Sequence, residues 1–143
     1  MFPQEVADGA AAYAIKHEGG NMLIRARHLL GRARVFAAEE SFEANGETFP
    51  AGSWIIRNAA ELDRAALDRI GDECMLTVYG LDDEPDVRTH EVDLPRLALY
   101  HNWVSTQDDG WVRYTFDQAQ VDYDYINDDD IRAGNLRAKY DVI

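Results

Sequence analysis

Apolar residues along this chain fall into two alternating patterns, short continuous runs and helical stripes. Ala11 to Lys16 (Ala-Ala-Tyr-Ala-Ile-Lys) is a run of the length expected for a buried strand. Gly19-Gly20 interrupts it, and Asn21 is placed to cap a helix. Met22, Leu23, Ala26, Leu29 and Leu30 then recur at i, i+1, i+4, i+7 and i+8, one stripe of a helix that Gly31 ends. Arg34 to Ala38 reads as a second strand. Ser41 to Phe49 contains Asn45-Gly46, a pair that tolerates positive φ at both positions and therefore signals a hairpin. Pro50-Ala51-Gly52 makes a further turn before a strand at Ser53 to Arg57. Asn58 is placed to cap a second helix with Leu62, Ala65, Ala66, Leu67 and Ile70 inward and its end near Gly71, and Met75 to Leu81 is another strand.

This order, β-α-β-β-α-β with the hairpin ahead of the third strand, predicts a split βαβ layer with helices on one face of a sheet over residues 1–85. Asp82-Asp83-Glu84-Pro85-Asp86 is a charged, proline-bearing break. Beyond it Thr89 to Leu94 alternates, and Arg96 to Trp103 reads as a strand buried on both faces, as parallel sheets require. Asp108-Asp109-Gly110 opens a helix carrying Trp111, Val112, Thr115, Phe116 and Ala119. Val121 to Ile126 alternates as a strand, Asp128 to Asp130 cap a short helical turn through Leu136, and Tyr140 to Ile143 begins another strand. Such a β-α-β-α-β series over residues 86–143 is how a flavodoxin-like, doubly wound parallel sheet starts. The fold class expected is therefore α/β, a split βαβ layer followed by the first strands of a doubly wound sheet. That second series leaves an outer layer uncovered, which favours a unit completed by further chain or by another molecule over a natural edge strand.

Charge narrows the partners. Twenty-seven acidic residues against fourteen basic ones give −13. Nucleic acid and anionic lipid surfaces, which both depend on clustered Lys and Arg, are not expected partners. No apolar run approaches the roughly 20 residues of a membrane span, and Met1 to Ala14 lacks the basic start and apolar core of a secretory signal. The compartment is otherwise open.

Most site chemistry fails on spacing. His17, His28, His90 and His101 begin no His-Glu-x-x-His pattern, and Cys74 has no second cysteine, so no metal site is expected from this chain. Cys74 follows Asp72 and Glu73, which oppose a thiolate, and reads as a core residue. Ser41, Ser53 and Ser105 lie in no Gly-x-Ser-x-Gly elbow, and the glycines form no phosphate loop. The acidic run Asp122 to Asp130 departs from the EF-hand order, with Ile126 and Asn127 at its fifth and sixth places, and reads as capping residues on a solvated strand edge. No catalytic residue is assigned. One ligand site remains. In open α/β sheets, ligands bind beyond the carboxyl ends of strands, at a helix N-terminus. Here that loop brings Asn102, Ser105, Asp109, Trp111 and Arg113 together as candidate ligand-binding residues. The alternative is a capped helix with Trp103 and Trp111 packed as core.

Pro95-Arg96-Leu97-Ala98-Leu99-Tyr100-His101-Asn102-Trp103, Asp109-Gly110-Trp111-Val112-Arg113, Asp130-Ile131-Arg132-Ala133-Gly134-Asn135-Leu136 and Tyr140-Asp141-Val142-Ile143 together form a series of motifs, joined upstream by Phe49-Pro50-Ala51-Gly52-Ser53-Trp54-Ile55-Ile56. The series resembles the C-terminal region of bacterial zinc carboxypeptidase-like proteins, over roughly residues 11 to 143. Asp109 stands where that family usually has Glu, and Val112 where it has Thr. The resemblance implies that residues 86–143 start a class I glutamine amidotransferase-like fold. It also implies a continuation past Ile143 and a peptidase domain upstream in a parent protein that could be exported. Zinc and the general-base glutamate are implied for that upstream domain only; no position here matches them or the amidotransferase cysteine. The function expected is a non-catalytic accessory or assembly region whose partners are the upstream peptidase domain or identical chains. A small-ligand module using the 102–113 loop, and a hydrolase fragment completed by another domain, are the alternatives.

Overall fold

A computed structural model describes residues 9–57, 62–104 and 106–143. The chain is mixed α/β and divides into two compact units, unit 1 up to Asp93 and unit 2 from Leu94.

In unit 1 the elements are β1 (Ala12–Ile15), α1 (Met22–Leu29), β2 (Val35–Ala38), β3 (Phe42–Ala44), β4 (Glu47–Phe49), β5 (Trp54–Ile56), α2 (Arg64–Cys74), β6 (Val78–Leu81) and β7 (Thr89–Glu91). Five of the strands form one antiparallel sheet in the order β6-β1-β5-β2-β7, with Tyr13 opposite Ile56 and Gly80, and Phe36 opposite Ile55 and Glu91. β5 thus lies between β1 and β2, the strands that α1 connects. β7 comes after the acidic 82–86 segment and closes the sheet edge beside β2.

Every residue of β1, β2 and β5 is buried, which explains why they read as continuous apolar runs instead of alternating ones. One face, with Ile15, Val35, Ile56 and Val78, packs on Leu23, Ala26 and Leu30 of the α1 region and on Leu67, Ile70 and Cys74 of α2. The other face is covered by the β3–β4 hairpin: Phe49 packs with Ala14 and Leu81, and Phe42 reaches Ala12, Ala38 and Ile55. Asn45 (φ 50°) and Gly46 (φ 78°) supply the two left-handed positions of its turn. Gly52, at φ 87°, could not carry a side chain comfortably, since a Cβ there would lie 3.3 Å from the His17 ring.

Three local expectations in this unit are corrected. Asn21 has helical φ and ψ and its side chain makes no cap. The second helix is capped by Asp63, whose carboxylate accepts from the Ala65 N–H, and Asn58 lies outside the described residues. That helix passes through Gly71 to Cys74, so the strand begins at Val78 instead of Met75. The stop is at Met75, which takes φ 55° and donates its N–H to the Gly71 carbonyl, an αL cap formed without glycine.

Unit 2 contains β8 (Ala98–Tyr100), α3 (Thr106–Ala119), β9 (Asp124–Ile126), α4 (Asp128–Ala133) and α5 (Leu136–Lys139). β8 and β9 are parallel, Ala98 opposite Asp124 and Tyr100 opposite Ile126, and a parallel bridge joins Leu97 to Val142. The backbone groups of Leu97 and His101 bond toward β9, while those of Arg96 and Ala98 bond to Asp141 and Val142, so Val142 lies on the edge of β8 away from β9. A layered flavodoxin-like sheet is not formed among the described residues. The run Arg96 to Trp103, expected to be buried on both faces, is strand only over Ala98–Tyr100, and Tyr100 and Trp103 are exposed. Paired strands of three residues each offer too little surface to cover the apolar side chains around them.

Candidate functional site

The carboxyl ends of β8 and β9 and the first turns of α3 meet at a cluster of polar and aromatic side chains. His101 comes directly after β8, and its Nδ1 lies 3.0 Å from Asp109 Oδ2, with side-chain exposures of 15% and 11%. The Tyr125 hydroxyl, from β9, donates to the same Asp109 oxygen. Asp109 Oδ1 is buried and has no hydrogen-bond partner among the described residues. A buried acceptor left unpaired costs roughly 1–3 kcal/mol, so this oxygen is a point at which a donor from outside would be stabilising.

Arg113, one turn along α3 from Asp109, places its guanidinium 4.6 Å from the centre of the Tyr125 ring. Its pKa is raised, chiefly by hydrogen bonding to Tyr123. Partial burial and the hydrogen bond to Asp109 push the Tyr125 hydroxyl above the usual tyrosine range. Tyr123 in turn donates to Asp117 at 3.0 Å and packs on Phe116. The His101 ring is flanked by Tyr125 and Trp103, each with ring centres 5.1 Å away.

The structure therefore joins Asp109 and Arg113 through Tyr125 and sets the other sequence candidates differently. Asn102 Oδ1 accepts from the Val104 N–H, a local turn contact. Trp111 is 63% exposed and packs edge-on against Tyr114, and Trp103 is 86% exposed, so neither tryptophan is a core residue. Ser105 lies outside the described residues. His101, Tyr123 and Tyr125 complete the cluster and were not among the candidates. Their signal was present: alternation places Tyr123 and Tyr125 on one face of their strand, and a histidine directly after a parallel strand stands where ligands are met.

The acidic run downstream is occupied by structural contacts. Asn127 and Asp130 form a reciprocal capping box at α4, Tyr100 donates to Asp128, and Arg132 reaches both Asp128 and Asp129. Among the described residues no group of three or more His, Cys, Asp or Glu side chains is arranged to hold a metal ion, and no helix is long and apolar enough to cross a membrane. Cys74 is buried, and burial pushes its thiol up, away from nucleophilic use. A His–Asp pair orients an imidazole but needs a reacting partner to do chemistry; surrounded by tyrosines, tryptophan and arginine, it is suited to holding a ligand by stacking and hydrogen bonds. No protein family, curated protein or solved structure matches the chain.

Proposed function

We propose that this chain is a non-catalytic accessory region of a zinc carboxypeptidase-like protein. In this reading the zinc ligands and general base lie in an upstream peptidase domain, unit 1 is a split βαβ layer, and unit 2 opens a class I glutamine amidotransferase-like parallel sheet. The observation that carries the reading is the distribution of apolar surface. Of the exposed large apolar side chains among the described residues, only Ile24 and Met75 belong to unit 1, while Trp103, Val104, Trp111, Val112, Tyr114, Ile131 and Val142 crowd unit 2. So many exposed large apolar side chains in one unit suit a surface that another protein covers, supplied by the peptidase domain or by an identical chain. The order β9, β8, Val142, in which the chain reverses around β8, supports the doubly wound assignment. Incubation of the purified chain with peptides of varied C-terminal residue, with and without added zinc, should release no amino acid. Zinc-dependent release would overturn the reading.

The unpaired Asp109 oxygen favours a second role, a small-ligand module at the 102–113 loop. A ligand donating to Asp109 at 100 times its dissociation constant would add about 2.7 kcal/mol to stability. A panel of free amino acids and polyols should then contain a member that raises the melting temperature of the chain, with the rise lost in Arg113→Ala and Asp109→Asn. No rise across the panel, or one that survives both substitutions, would count against it.

A further inference from the structure

Two sulfur-bearing residues stand side by side at the end of α2 and meet opposite surroundings. Cys74 is buried in the same core cluster as Leu67 and Ile70, whereas Met75 is 79% exposed. The left-handed backbone at Met75 ends the helix there, and its side chain leaves the buried stripe. Glycine adopts that conformation freely, and a side chain this exposed returns almost no packing for it. What methionine adds at this position is chemical: a thioether open to water.

Thioethers and thiolates are the side-chain groups that climb the sulfur oxidation ladder. The chain has three methionines and one cysteine, and Met1 lies outside the described residues. The remaining two sulfur atoms are shielded. Met22, at the start of α1, is partly buried and packs against the main core of unit 1. Burial pushes the Cys74 thiol up, which leaves little of the thiolate that reacts with oxidants. Among the described residues the fold therefore presents one sulfur to solvent and withholds two.

We propose that Met75 is a modification site for peroxides, converted to the sulfoxide without loss of the fold. A lone pair on Met75 Sδ takes the terminal oxygen of the peroxide and the O–O bond breaks. The proton of the transferred oxygen passes to the departing oxygen, which leaves as water from hydrogen peroxide or as an alcohol from an organic hydroperoxide. Sulfur gives up two electrons and the peroxide receives them. The product lies on the reversible step of methionine oxidation. The site is independent of the accessory role and of the Asp109 cluster.

The test is treatment of the whole chain with hydrogen peroxide, followed by peptide mass mapping at successive times. Met75 should gain one oxygen at least about tenfold faster than Met22, and before Cys74 gains any. In urea sufficient to unfold the chain, the two methionines should react at nearly equal rates, because burial alone separates them. A sample stopped once Met75 is converted should melt at the temperature of the untreated chain. Three results would overturn the proposal: Met22 or Cys74 oxidised as fast as Met75 in the folded chain, a difference between the methionines that persists in urea, or a lower melting temperature once Met75 is the sulfoxide.

Discussion

Met75 holds a left-handed conformation that glycine adopts freely, and its side chain is 79% exposed, so it contributes almost no packing in return. Left-handed backbone at a residue with a Cβ costs roughly 1–2 kcal/mol. Met75→Gly should therefore raise the stability of unit 1 by about 1 kcal/mol in urea unfolding, and Met75→Val, β-branched at the same φ, should lower it. Two carboxylates are held unusually acidic by arginine neighbours. Arg69 and Arg25 hold Glu73 down from 4.5 to about 2, and Arg96 holds Asp141 down from 3.8 to about 2 by side-chain and backbone donors. Each folded-state pKa lies below the unfolded value, so each contribution is complete above pH 4.5 or so and is lost as pH falls toward 2. Melting temperature should fall across that window. Glu73→Gln should flatten the fall in unit 1 and Asp141→Asn in unit 2, each at the cost of a lower plateau near neutral pH. A fall that neither substitution alters would place the acid sensitivity elsewhere.

Elements divide into those the sequence dictates locally and those decided by packing. The Asn45-Gly46 turn was legible because positive φ at both positions is a property of those residues alone. The α1 stripe was legible from its period. What α2 does at its ends was not: Gly71 is a plausible stop by composition, but Ile70 and Cys74 both face the sheet, and continuing the helix buries the thiol four residues on. Ile70, fully buried between sheet and helix, should cost about 2–5 kcal/mol on replacement by alanine, measured by urea unfolding of the whole chain. The hairpin was visible in the sequence, whereas its use as the cover of the second sheet face was not, because only tertiary contacts show that Phe42 and Phe49 reach across the sheet. In unit 2 the aromatic residues misled in the opposite direction. Trp103 and Trp111 have the composition of core but stand in solvent, and the candidate cluster is organised by the contact of Asp109 with Tyr125, which joins residues sixteen apart in sequence.

At the scale of the molecule the two units differ in how their apolar residues are disposed. Unit 1 buries both faces of β1, β5 and β2, the inner strands of its five-stranded sheet, between two helices and a hairpin. Among the described residues unit 2 buries only Ala98, Val121 and Ile126 of its apolar side chains, and α3 buries none. Free energies of local opening track buried contact, so the two units should not share one stability. Amide hydrogen exchange on the intact chain measures this directly. Amides of β1, β2 and β5 should exchange only through global unfolding, and those of β8, β9 and α3 through openings that leave them at least about a hundredfold less protected. Equal protection in both units, lost together in one cooperative step, would contradict the claim that unit 2 needs another surface to complete it.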